Sequence, residues 1–371
     1  MQIPLVNLRA QNEEILEDVM DDIRSLASNG KFIGGDHCAN FEKQFSNFTN
    51  SNYSIGVANG TDALELALKA LNLSNGDEVI LPANSFFASY EAVVNCGLMP
   101  RLVDVCEDNY LIDVEKVRSA INKKTKVVMG VNLYGNCCDL KTLREIVDEN
   151  NLSLVLDCAQ GHGNYYKNDP LTKYAHLVAY SFYPGKNLGA WGDGGAVCTN
   201  DSILRDRVKS LSNHGRLDEK YQHHLIGVNS RLDNLQAAVL CRKLKKLKTW
   251  TDNRQKMAEI YNNLLSKYEQ LQLPKNIYDS ASNVYHLYVV RLIDINRDKL
   301  FDYLKSEGIA AGLHYPVPIN LQPGYTKTGF DTFPVSEELS KEIISLPLCA
   351  HITENEIKFV CKHVERFLEF A

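Results

Sequence analysis

Residues 152–163 read LSLVLDCAQGHG, an apolar run that closes on a carboxylate, Asp157. Leu152, Leu154, Val155 and Leu156 leave no polar face, so the run suits a strand covered on both sides. In an open α/β sheet, ligands bind at the carboxyl ends of the strands, which is where Asp157 stands. A carboxylate beside buried strand is costly unless it meets a cationic partner. Taken alone, Asp157 is read more simply as the cap of a following turn. Gln160, three residues on, adds a neutral donor and acceptor to the same turn.

Similar apolar runs lie on either side: EVILP (78–82), PRLVDV (100–105), KVVMGVNL (126–133) and HLVAYSF (176–182). Amphipathic stretches separate several of them, such as DLKTLREIVDEN (139–150), and NGTDALELALKAL (59–71) predicts a buried helix opening at Thr61. This alternation predicts an α/β domain with a largely parallel sheet covered on both faces. From about 233 the pattern changes to a long helical stretch nearly free of Gly and Pro. Then come a strand-like run, VYHLYVVRLI (284–293), a helix ending at a glycine, the proline-rich loop HYPVPINLQPGY (314–325) and two further helical segments. The expected division is a large α/β domain over 1–245 and a smaller α+β domain over 246–371.

A chain of 371 residues, 44% hydrophobic and 23% charged, has a globular composition. Its formal net charge of −6 gives no basis for binding nucleic acid, and the cluster Lys243, Lys245, Lys246, Lys248 reads as a solvated helix face. The start, MQIPLVNLRAQNEEI, lacks a basic region followed by an apolar one, and no apolar run approaches the roughly 18 residues of a membrane span. A cytoplasmic protein without membrane attachment is expected. The ten cysteines are scattered without CxxC, and the ten histidines without HxxxH or HExxH, so no metal site is expected. No GxGxxG follows an early strand, which argues against an NAD-dependent dehydrogenase.

The stretch SFYPGKNLGAWGDGGAV (181–197) places Lys186 among glycines with Asp193 beyond. Asp157 and Gln160 at one strand end, Ser181 and Lys186 at the next, and a Gly60-Thr61 helix start upstream match what a pyridoxal phosphate site requires. A lysine bonds covalently to the aldehyde, and an aspartate keeps the pyridine nitrogen protonated. The phosphate rests on a helix N-terminus among hydroxyl donors. Phe86, in PANSFFAS, either stacks on such a ring or belongs to the core. The mixed loop NHGRLDEKYQHHLIG (213–227), with Arg216, Lys220, Tyr221 and His223, is either a polar surface loop or a cationic, aromatic contact for a nucleotide diphosphate.

These motifs, with VANGTDALELAL and GVNSRLDNLQAAVL and in this order, resemble the DegT/DnrJ/EryC1/StrS family of pyridoxal phosphate-dependent sugar aminotransferases. That family has the aspartate aminotransferase fold, fold type I, and the similarity runs from IPLVNLRAQ to HYPVPINLQPGY. The resemblance implies Lys186 as covalent anchor and general acid/base, Asp157 as partner of the pyridine nitrogen, and Gln160 as partner of the ring hydroxyl. It implies Gly60, Thr61 and Ser181 at the phosphate, Phe86 against the ring, and Asn229 reaching the phosphate of a neighbouring subunit. A homodimer with shared sites follows. Tyr183, Lys220, Tyr221, His314 and Tyr315 would contact the sugar, with Phe32 and Ile33 closing over it.

Some relatives carry histidine where this chain has Lys186 and act as sugar dehydratases, so the lysine argues for an aminotransferase. Asp193 and the wording GLHYPVP resemble the subgroup that aminates dTDP-linked 3-keto-6-deoxyhexoses with L-glutamate as donor, a step toward a surface polysaccharide or glycoconjugate. Asn320 departs from that subgroup, which has histidine there. The alternatives are amination at C4 of a 4-keto sugar nucleotide and, from another class, a regulatory protein that retains a cofactor site.

Overall fold

The computed structural model describes residues 1–217, 221–275, 282–326 and 332–370. A seven-stranded sheet is built from β1 (Tyr53–Val57), β2 (Glu78–Pro82), β3 (Met99–Val103), β4 (Thr125–Val131), β5 (Ser153–Asp157), β6 (Leu177–Ser181) and β7 (Gly195–Thr199). Its order is β1-β7-β6-β5-β4-β2-β3. The pairs β6–β5, β5–β4, β4–β2 and β2–β3 are parallel, and β7 alone runs against its neighbours β1 and β6. The mostly parallel α/β sheet expected from the apolar runs is therefore present.

Successive residues of each central strand feed two separate cores, which is why the runs show no polar face. Leu154, Leu156, Val178 and Tyr180 pack on one side with Phe41, Phe45, Leu143 and Ile146 from covering helices. Val155, Leu177, Ala179 and Val197 pack on the other with Leu64, Leu68 and Val93. The helix Gly60–Ala70 opens one residue before the expected Thr61, because Asn59 is its cap and its side chain accepts from the Asp62 N–H at 2.8 Å.

A three-stranded sheet, order β10-β9-β8, comprises β8 (Leu271–Gln272), β9 (Tyr288–Leu292) and β10 (Ile343–Leu346). β9 is shorter than the run 284–293: Val284 and Leu287 instead donate their N–H groups to the carbonyls of Gly135 and Tyr134, at 2.9 and 3.1 Å. The long helix Asn234–Leu265 serves both bodies, burying Ala237, Leu240 and Leu247 in a core of the large sheet and Met257, Tyr261 and Leu265 in a third core. Ile3, grouped by sequence with the first 245 residues, packs in that third core and pairs by backbone with Gly308 and Ala310 at 2.9 Å.

Lys243 also departs from its sequence reading. The lysine cluster does not all face solvent: Lys243 is buried on the long helix, its Nζ donates to Gln11 Oε1 at 3.3 Å, and burial pulls its pKa down to about 8. The spacing explains it, since Lys243 shares its face with Val239, Leu240 and Leu247.

Asp104, buried just beyond β3, fixes the helix Pro334–Glu342 onto the large sheet. Its carboxylate accepts from Val335 N–H at 2.9 Å, Ser336 N–H at 2.9 Å and Ser336 Oγ at 2.7 Å, doing from a distance what a capping residue does locally. Asp104→Ala leaves those donors without an acceptor. It is expected to cost about 2 kcal/mol, read as a lowered denaturation midpoint.

Candidate active site

The carboxyl ends of β1, β2, β4, β5 and β6 open on a cavity of about 610 Å³, lined by Asn59, Gly60 and Thr61, by Ser85 and Phe86, by Asp157 and Gln160, and by Ser181, Tyr183, Lys186, Asp193 and Tyr315. Each strand thus delivers its side chains through the turn that follows it.

Asp157 is buried at the end of β5, where its Oδ1 accepts from Ala159 N–H at 3.0 Å and its Oδ2 from Ser89 Oγ at 2.8 Å. Burial raises its pKa, and Ala159, Ser89 and the charge of Lys186 each oppose the rise. Lys186 responds in the other direction: burial lowers its pKa from 10.5 to about 8, against the pull of Asp157. At neutral pH that shift enlarges the uncharged, nucleophilic fraction of the amine by roughly two to three orders of magnitude.

Gln160 is held in one orientation. Its Oε1 accepts from Tyr134 N–H at 2.6 Å, so its Nε2 faces the cavity and donates to Tyr315 OH at 3.1 Å. An amide nitrogen carries two hydrogens, leaving one for a ligand. Tyr134, at φ 60°, also donates its hydroxyl to the His314 carbonyl and so ties the turn after β4 to the segment bearing Tyr315.

Gly60 and Ser181 meet where the first helical turn passes the end of β6. A Cβ on Gly60 would lie 2.5 Å from Ser181 Cβ and 2.9 Å from its Oγ, so only glycine fits. The glycines of 185–195 serve the chain more than a ligand: a Cβ on Gly189 would stand 2.3 Å from the Pro184 carbonyl oxygen, so the lysine turn closes on itself.

Phe86 is 57% exposed and its ring centroid lies 5.5 Å from that of Tyr315, so it belongs to the cavity mouth and not to the core. His314 has its Nδ1 2.8 Å from Ser345 Oγ on β10. Tyr221 (80% exposed) and the exposed Asn229 lie outside the cavity, Asn229 forming an isolated bridge with Asn213. Lys220 falls outside the described residues. Phe32 and Ile33 are exposed, and the Phe32 carbonyl accepts from Asn234 N–H at 3.0 Å. Asn320 is buried and donates to Glu337 Oε1 at 2.8 Å. Sequence reasoning missed Ser89 and Tyr134. Ser85 and Ser89 stand one helical turn apart in PANSFFAS with their hydroxyls 2.8 Å apart, a spacing that could have pointed to a shared face.

Among the described residues, no group of three His, Cys, Asp or Glu side chains could hold a metal, and no helix is long and apolar enough to cross a membrane. A half-buried lysine of lowered pKa, a buried carboxylate and a side-chain-free helix start around one cavity fit pyridoxal phosphate, with its aldehyde, basic ring nitrogen and phosphate. Fold and site together define a pyridoxal phosphate-dependent aminotransferase.

The chain belongs to the DegT/DnrJ/EryC1/StrS aminotransferase family, whose model matches residues 13–365. It is 37% identical over 365 residues to the dTDP-3-amino-3,6-dideoxy-alpha-D-galactopyranose transaminase of Aneurinibacillus thermoaerophilus, covering 98% of this chain and 99% of that one. It is 33% identical over 367 residues to a UDP-N-acetyl-3-dehydro-alpha-D-glucosamine 3-aminotransferase of Acidithiobacillus ferrooxidans, with coverages of 99% and 98%. The crystal structure of S. venezuelae DesV superimposes with a TM-score of 0.95 at 36% identity, covering 99% of both chains.

Proposed function

We propose that this aminotransferase moves the amino group of L-glutamate to C3 of a dTDP-linked 3-keto-6-deoxyhexose, giving a dTDP-3-amino-3,6-dideoxyhexose. The observation that carries the catalytic part is the convergence of Lys186, Asp157, Gln160, Ser181 and Gly60 on one cavity. Both quoted relatives are named for amination at C3, and they differ in the nucleotide, so the carbon is supported more strongly than the base.

Bound pyridoxal phosphate supplies an aldehyde that bonds to amines and a ring that takes up the electrons of a deprotonated carbon. In this reading Lys186 would hold that aldehyde, and its amine would serve as the proton carrier at the donor's α-carbon. Asp157 would hold the ring nitrogen protonated, Gln160 would donate to the ring hydroxyl, and Gly60, Thr61 and Ser181 would receive the phosphate. Asn229 of a partner subunit completes the phosphate site, which makes a homodimer the working unit. Phe86 would stack on the ring, and Tyr183 and Tyr315 would flank the sugar. Tyr221, Lys220 and His314 would contact the nucleotide sugar.

Incubation with glutamate and each isomeric keto sugar nucleotide tests the assignment. An amino sugar from the 3-keto isomer is expected, and product from the 4-keto isomer alone would sink amination at C3. Parallel dTDP- and UDP-linked substrates test the base. The phosphate assignment carries its own prediction: Gly60→Ala pushes Ser181 aside and is expected to weaken pyridoxal phosphate binding about tenfold or more, roughly 1.4 kcal/mol, read by equilibrium titration.

A further inference from the structure

Beside Lys186 in the chain stands Asn187, almost fully buried, whose side chain leaves its own loop. Its Nδ2 donates to the Val284 carbonyl at 3.0 Å, and its Oδ1 lies 3.1 Å from Nδ1 of the buried His286. Because Nδ2 is committed to a carbonyl, Oδ1 is the acceptor, and His286 carries its proton on Nδ1. The segment that supplies these partners is itself fixed. Arg254, buried on the long helix, donates through Nη1 to the carbonyls of Tyr285, His286 and Leu348 at 3.2, 3.4 and 3.0 Å. Asn164 Nδ2 holds the Ser282 carbonyl at 2.7 Å. Two residues beyond His286, the chain enters β9.

We propose that Asn187 and His286 form a positioning pair that aims Lys186, tying the lysine turn of the large sheet to the segment leading into the small one. The proposal rests on Lys186 being the residue that bonds the cofactor. A lysine side chain has four rotatable carbon–carbon bonds, so the fixed quantity is the direction in which it leaves the backbone. The turn supplies part of that through Lys186 N–H to the Tyr183 carbonyl at 2.9 Å, and the Asn187 side chain supplies the rest. The histidines within reach of the amine's charge agree with an uncharged surrounding. Burial first and Lys186 second lower His162 to about 3 and His314 to about 4, and hold His286 far below the usual imidazole range. Asp157 is the negative charge acting on Lys186.

The test measures how fast pyridoxal phosphate bonds to Lys186 in the cofactor-free, full-length protein as a function of pH. The amine attacks the aldehyde carbon and water leaves; borohydride then delivers hydride to that carbon, and the mass gain is mapped to the peptide carrying Lys186. Asn187→Ala is expected to slow bonding about tenfold and to move its pH midpoint upward from about 8 as water reaches the amine. His286→Asn places an amide N–H where Nδ1–H stood and is expected to keep the wild-type rate and midpoint, whereas His286→Leu should behave like Asn187→Ala.

A merely structural pair would lower the melting temperature of these variants while leaving rate and midpoint unchanged in the folded fraction, and that result overturns the proposal. Equal impairment of His286→Asn and His286→Leu overturns it as well. If Asn187→Ala does not fold, Asn187→Asp, which keeps the acceptor for His286 and loses the donor to Val284, takes its place with the same expected direction. An adduct in the wild type on a lysine other than Lys186 would instead refute the reading on which the pair depends.

Discussion

Lys186→Ala is expected to reduce transamination by about four orders of magnitude or more, on the order of 5 kcal/mol of lost barrier lowering, while the protein still folds. The size follows from the number of tasks the proposed function gives one amine: it would bond the cofactor, release it to the donor and carry the proton between two carbons. Lys186→Arg separates charge from nucleophilicity. Arginine keeps a cation near Asp157 but is never uncharged near neutrality, so it cannot make the bond that Lys186 makes once burial has lowered its pKa to about 8. Both variants are expected to be equally inactive in steady-state assays with glutamate, and neither should gain mass at position 186 after loading with pyridoxal phosphate and reduction. Substantial activity in the arginine variant would mean that the position supplies charge alone.

The reach of the sequence can be argued from the same residues. The central strands were readable because burial on both faces makes apolar runs unbroken, as in LSLVLD. β1 and β7 were not, since YSIGV and GAVCT are short, carry glycine and lack that length of apolar signal. Asp157, Gln160, Ser181 and Lys186 were legible because topology alone puts strand ends together. What stayed hidden depends on pairs distant in the chain: Ser181 forbidding a Cβ at Gly60, Ser89 reaching Asp157, and His286 meeting Asn187. Lys243 misled through composition, because a lysine among lysines reads as solvated even where Val239, Leu240 and Leu247 beside it on the helix are buried. The partners of His314 and Asn320 within the chain, Ser345 and Glu337, were hidden in the same way.

Asp157→Asn should separate function from stability. The carboxylate is the negative charge in the cavity that acts on Lys186, and in the proposed function it is the group that would hold a ring nitrogen protonated. Transamination is expected to fall at least about a hundredfold, the scale seen when one group that stabilises developing charge is removed. Stability should move the other way in the cofactor-free protein. Burial is the largest influence on Asp157 and raises its pKa above 3.8, outweighing Ala159, Ser89 and Lys186. A group whose folded pKa is raised contributes stability below its unfolded pKa and loses it as pH rises through the folded value. Near neutrality, therefore, the cofactor-free wild type carries the cost of a buried charge that asparagine avoids, while the amide still accepts from Ala159 N–H and can meet Ser89 Oγ. Thermal unfolding should show the variant melting at or above the wild type at pH 7, the gap closing as the pH falls toward about 4 and the wild-type carboxyl takes up its proton. Cofactor reverses the order, because a protonated ring nitrogen beside Asp157 converts the buried charge into a pair that asparagine cannot make. A variant that melts lower than the cofactor-free wild type at neutral pH, yet keeps its activity, would assign Asp157 to the fold and not to the chemistry.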